Sequence, residues 1–142
     1  MTKFLKHMAA MMILVAAVAG CASGAKGPSD EELITNTVNT FVTGMKTKDV
    51  DLLLSAVSEN FSTSDAPDKA SLGDFLKNAI DAGYLEEVEI GMEETTREFT
   101  DAKDSVYVYP LEVESLAGVA TMGLTLAKEE GNWLIAGMDL EM

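Results

Sequence analysis

Three side chains in the C-terminal half have the types that general acid–base chemistry needs: Tyr107, Tyr109 and Asp139. A phenol and a carboxyl group exchange protons usefully only when burial brings their pKa values toward the working range. The question is therefore which face of its element each one occupies. The period-two spacing of Tyr107, Tyr109, Leu111 and Val113 predicts both phenols on the apolar face of a strand, with Pro110, Glu112 and Glu114 on the other. Asp139 shares the parity of Trp133 and Ile135 unless Gly137 marks a bulge. Against the catalytic reading stands a plainer one, in which two core-facing tyrosines keep their hydroxyls at the rim and a bulge turns the Asp outward.

The other chemistry-bearing residues narrow the field. The single histidine, His7, lies in a segment expected to be removed, so the mature chain has no imidazole for acid–base work, a nucleophile triad or a metal site. Arg97 could position a water with an acid. Its neighbours Glu93, Glu94 and Glu98 point instead to an exposed ion pair along a strand. Glu86, Glu87 and Glu89, like Glu129 and Glu130, lack the regular ligand spacing of a calcium loop and read as a solvated face and a turn. No glycine-rich phosphate loop follows a strand; Gly118, Gly123, Gly131 and Gly137 fall where hairpins need turns and bulges. Met45, Met92, Met122 and Met138 sit at apolar positions and read as core filling. No cofactor and no metal are expected.

The only cysteine, Cys21, closes a different pattern. Lys3 and Lys6 make a positive start, and Met8 to Val18 form an apolar stretch of signal-peptide length, short for a membrane-spanning helix. Val18-Ala19-Gly20-Cys21 then resembles the lipobox of bacterial lipoproteins, which implies cleavage before Cys21 and acylation of its thiol and new amino terminus. Two or three acyl chains anchor firmly where one binds only marginally. Ala22 after the cysteine implies, by resemblance to the enteric sorting rule, the outer membrane with the domain facing the periplasm. The expected organisation is a signal peptide over 1–20, a lipidated tether over 21–28 and one domain over 29–142.

Beyond Cys21 the chain has 8 basic against 24 acidic residues, a formal charge of −16. Nucleic acid and anionic lipid surfaces are poor partners for such a field. With no second cysteine, no internal disulfide forms.

The elements that must position these residues are legible from capping and period. Ser29 with Glu32 forms a capping box, followed by Leu33, Ile34, Val38, Phe41, Val42 and Met45 at helical spacing, which predicts a helix over about 30–47. Asp49 caps a shorter helix carrying Val50, Leu53, Leu54 and Val57. After a loop over 62–69, Ser71-Leu72-Gly73-Asp74 opens a third helix that stops at Gly83. From Leu85 the period becomes two: Val88, Ile90 and Met92 alternate with glutamates. Turns at 101–104, 115–118 and 129–132 separate the strands that follow, and Pro110 places its strand at an edge or at a bulge. Helices first and hairpin-linked strands after predict an antiparallel α+β domain of about four strands on three helices. The strands over 119–128 and 133–141 are apolar on both faces. That excess fits either a homodimer partner on the second face or tight curvature within one chain.

Glu32 to Phe61, with "VNTFVTGMKTKDVDLLLSAVSENF", and Gly118 to Leu140, with "GVATMGLTLAKEEGNWLIAGMDL", resemble the nuclear transport factor two-like superfamily. The shared features are a long first helix, a short second helix at a Lys-Asp pair, an aromatic after it, and a closing hairpin with Gly131, Trp133 and Ile135. The resemblance implies a cone of curved antiparallel sheet around helices, often with a pocket and often dimeric. It also implies a choice of roles, since that superfamily holds ketosteroid isomerases, cyclases and members without chemistry. The isomerase branch uses a tyrosine and carboxyl groups in an apolar pocket, but the first helix here has Phe41 and no tyrosine. The expected protein is an envelope lipoprotein, non-catalytic, that binds an apolar small molecule or a protein partner; the alternative is a small isomerase or lyase using Tyr107, Tyr109 and Asp139.

Overall fold

The computed structural model describes residues 27–142; the expected signal peptide, Cys21 and most of the expected tether lie outside the described residues. Three helices, α1 (Asp30–Thr47), α2 (Val50–Ser55) and α3 (Lys69–Asp81), precede five strands: β1 (Glu89–Gly91), β2 (Thr96–Phe99), β3 (Ser105–Ser115), β4 (Gly118–Glu129) and β5 (Asn132–Glu141). All strand pairs are antiparallel, in the order β1-β3-β4-β5, with β2 also paired to β3. The sheet is curved and does not close.

Local chemistry accounts for the helices. Ser29 accepts from Glu32 N–H while the Glu32 carboxylate accepts from Ser29 N–H, the reciprocal cap that the sequence predicts. Asp49 caps α2 through Leu52 N–H at 3.0 Å. The third helix starts at Lys69, ahead of the opening at Ser71 that the sequence implied, because Asp68 is the cap: its carboxylate accepts from Ser71 N–H at 2.7 Å. At the crossing of α1 and α2, Gly44 lets the backbones touch; a Cβ there would lie 2.7 Å from Leu53 N.

The sheet has five strands where about four were expected, and Pro110 supplies the reason. The segment opposite β3 is interrupted between Gly91 and Thr96, where its partner would need an N–H that Pro110 lacks. Thr95 and Thr96 bridge the gap through their hydroxyls, donating to the carbonyls of Pro110 (2.7 Å) and Tyr109 (2.9 Å). Because β1 ends at Gly91, Met92 is exposed and does not fill the core as its period implied. β3 itself is central, so of the two options for Pro110 the bulge is the one realised.

Between helices and sheet lies one apolar core built on Ile34, Phe41, Leu53, Phe61, Leu126 and Trp133, all at most 2% exposed. Burying side chains of this size contributes about 1.5–3 kcal/mol each before entropy is charged against it. The edge of β5 is partly covered by the segment after α2: Ile135 N–H donates to Ala56 O, and Ser58 N–H and Ser62 N–H donate to Ile135 O and Ala136 O.

Candidate binding face

Two bulges decide where the chemistry-bearing residues point. In β3 the register against β4 slips between Val108 and Leu111, so Val106 and Val108 bury toward the helices and Leu111 and Val113 do the same. Tyr107 and Tyr109 consequently face the other way, onto the outer side of the sheet, which corrects the parity reading that grouped them with Leu111. In β5 the slip lies at Ala136: Leu126 pairs with Ile135 but Thr125 with Gly137. Trp133 and Ile135 stay inside while Asp139 turns outward, the bulged alternative for this residue.

The same outer face thus receives all three. Tyr107 Oη donates to Asp139 Oδ2 at 2.7 Å, with Oδ1 at 3.0 Å. The rings of Tyr107 and Tyr109 stack with centroids 5.7 Å apart and planes 11° from parallel. Partial burial pushes the Tyr107 phenol up to about 12, and the hydrogen bond and negative charge of Asp139 add to the shift. The phenol can lie across β4 only because position 123 has no side chain: a Cβ there would be 2.2 Å from Tyr107 Oη. Sequence reasoning assigned Gly123 to turns and bulges and missed this role. The signal for it would have been a glycine cross-strand from a tyrosine in an otherwise well-filled strand.

Register extends the face in rows. Glu98, Tyr107, Thr125 and Gly137 lie side by side, as do Glu112, Thr121 and Glu141, with Glu114 beside Val119 beyond them. Gly123 is buried under Tyr107, so the centre of this second face is covered by the chain's own ring, and Val119 at its far end is left exposed.

Arg97 lies on the helix side of β2 and does not pair with its sequence neighbours. Its guanidinium donates to the Glu31 carboxylate and to Thr35 Oγ1 (2.7 Å), tying β2 to the first turns of α1. A network absent from the sequence reading pins the same helix end: Asp30 accepts from Trp133 Nε1 at 3.1 Å and pairs with Lys128 at 3.0 Å. These bonds, Trp133 first, hold the Asp30 carboxyl below its ordinary range. Two open grooves flank α1, one of about 550 Å³ between Glu31, Thr35 and Arg97, the other of about 340 Å³ beside Thr37, Ala56 and Trp133. Among the described residues no cluster of three metal-ligating side chains occurs, and no helix is long and apolar enough to cross a membrane.

No family model matches the sequence, and no curated protein matches it significantly. Solved structures do match in fold. A protein of unknown function with a cystatin-like fold from Nostoc punctiforme superposes with a TM-score of 0.65 at 14% identity, covering 82% of this chain and 94% of that one. An NTF2-like protein of unknown function from Pseudomonas putida gives 0.63 at 8% identity, over 76% and 82%. A de novo designed protein with a curved β-sheet gives 0.57 at 16% identity, over 77% and 99%. The chain therefore has the NTF2-like fold, a conclusion about architecture alone.

Proposed function

We propose that this protein is a lipid-anchored envelope module that works by binding, not by catalysis, and that the outer face of its sheet is the working surface. One observation carries the reading: Tyr107 and Asp139, the residues that would do acid–base chemistry, are joined on an open face instead of being enclosed in an apolar pocket. An exposed carboxylate that already accepts a hydrogen bond from the phenol has neither the burial nor the free geometry that a general base needs. The helix side of the sheet is filled by Trp133, Phe41 and Phe61, which favours the sheet face over an interior pocket for an apolar small molecule.

The anchor belongs to the same proposal. Cleavage before Cys21 and its acylation would place the domain a short tether from the bilayer, and Ala22 favours the periplasmic side of the outer membrane. Palmitate labelling tests this part: wild type should label and partition with membranes, and unchanged labelling of Cys21→Ser would overturn it. Native mass spectrometry of the processed protein, released from nonionic detergent, tests the rest. The expected species carries no retained small molecule; a tightly held compound of a few hundred daltons would move the function to an interior site.

A further inference from the structure

The outer face is unbalanced in charge. Glu98, Glu112, Glu114, Asp139 and Glu141 all project from it, spread over β2, β3 and β5, and all are exposed. Among the described residues none has a basic partner within 4 Å, whereas Lys46, Lys48, Lys69, Arg97 and Lys128 each pair with a carboxylate elsewhere, namely Glu89, Glu86, Glu59, Glu31 and Asp30. In the middle of the unpaired carboxylates stands the stacked tyrosine pair, held in place by Asp139 and by the gap at Gly123.

We infer that this face docks an extended, arginine-bearing segment of a partner protein. This rests on the preceding reading that the outer face is the working surface, and it names the chemistry of the occupant. Arginine is the residue that matches both features: its planar guanidinium stacks on an aromatic ring and forms paired hydrogen bonds with a carboxylate. Tyr107 fixes the orientation of the Asp139 carboxylate, so little ordering remains to be done on binding. From Glu98 to Glu114 the face spans four strands and four side-chain rows, about 14 by 20 Å from strand and residue spacings, a length that an extended segment of about six to eight residues covers end to end. A second copy of this chain is the wrong occupant, since it would set five unpaired carboxylates against five more.

The test uses the full processed protein in nonionic detergent at physiological salt, titrated with an eight-residue peptide alternating arginine and glycine, its lysine analogue and a glutamate analogue. The arginine peptide should bind, the lysine peptide several-fold more weakly, and the glutamate peptide not at all. Neutralising the face by Glu98→Gln, Asp139→Asn and Glu141→Gln should weaken arginine binding at least tenfold, and Tyr109→Ala should do so separately. An equal change of charge on the helices, Asp51→Asn, Asp74→Asn and Asp81→Asn, should weaken it no more than about twofold, the effect of general field alone. All six acids are exposed, so these variants fold. Equal losses in the two triple variants, absence of arginine binding, or a dimer that the face variant dissociates would each overturn the inference. Partner cross-links at the face without arginine binding would overturn it while leaving the face as the working surface; loss of both would remove the face as well.

Discussion

Replacing Gly123 with Ala tests whether the outer face is organised around Tyr107. The new methyl carbon would sit 2.2 Å from Tyr107 Oη, 2.5 Å from Asp139 Oδ2 and 2.6 Å from Tyr107 Cζ, all well inside contact distance. The phenol must swing off the strand. That breaks the bond to Asp139, a charged acceptor at an exposed position and so one contributing about 1 kcal/mol. It also breaks the stack on Tyr109, which contributes about 0.5–1.5 kcal/mol. In the other direction, Ala in a strand recovers about 0.5–1 kcal/mol of the chain entropy that Gly loses on folding. The balance is a loss of about 1 kcal/mol, or about 4 °C in Tm for a domain of this size. Urea unfolding of Gly123→Ala, Tyr107→Ala and the double variant isolates the contact. With Tyr107 truncated, Ala at 123 should be neutral or stabilising, giving a coupling of about 1.5–2 kcal/mol. An equal effect of Gly123→Ala in both backgrounds would refute the argument.

Other consequences are as specific. Ultraviolet titration should show a tyrosine ionising near pH 12 that disappears in Tyr107→Phe and moves to lower pH in Asp139→Asn, which removes the repelling charge. Because that folded-state value lies above the ordinary 10.0, the stability it contributes is intact below pH 10 and is lost as pH rises from 10 toward 12, with the loss absent in Tyr107→Phe. Asp30 and Asp68 act at the other end: both are held below 3.8, so their contribution is present above that pH and falls away under stronger acid, less so in Asp30→Asn and Asp68→Asn. Gly44→Ala should destabilise by about 3 kcal/mol in the same urea assay, since the clash at Leu53 is with backbone that cannot rotate away. Ser29→Ala should cost about 1 kcal/mol by removing one half of the capping box.

The helices were legible because their signals are local. A serine or aspartate at the cap and apolar residues at three- and four-residue intervals specify α1 and α2 without knowledge of what they pack against. The strands were legible as strands but not by face. Period two assumes an unbroken pleat, and one extra residue at Pro110 and another at Ala136 each invert every side chain beyond them. The two inversions act together on Tyr107, Tyr109 and Asp139, so the three share a face as their alternation implied, but it is the opposite one. For Arg97 the ion pair was legible but its partner was not: Glu98, adjacent on β2, points to the other side, Glu93 and Glu94 lie before the strand, and Glu31, distant in sequence, is the carboxylate its own side presents. What the outer face lacks, a cation, was not visible from composition, because five of the basic residues are held elsewhere by pairing that only the fold reveals, and Lys77 and Lys103 lie on α3 and in the turn before β3.

The claim that the outer face is the working surface is tested most directly by photo-cross-linking in living cells. A photoreactive residue would replace Val119, exposed on the face beside Glu114, or, as a control, the exposed Thr43 on α1. The expected outcome is a defined partner adduct from position 119 that is lost with the Glu98, Asp139 and Glu141 neutralisations, and none from position 43. Adducts only from position 43, or an adduct at 119 that is a second copy of this chain, would contradict it.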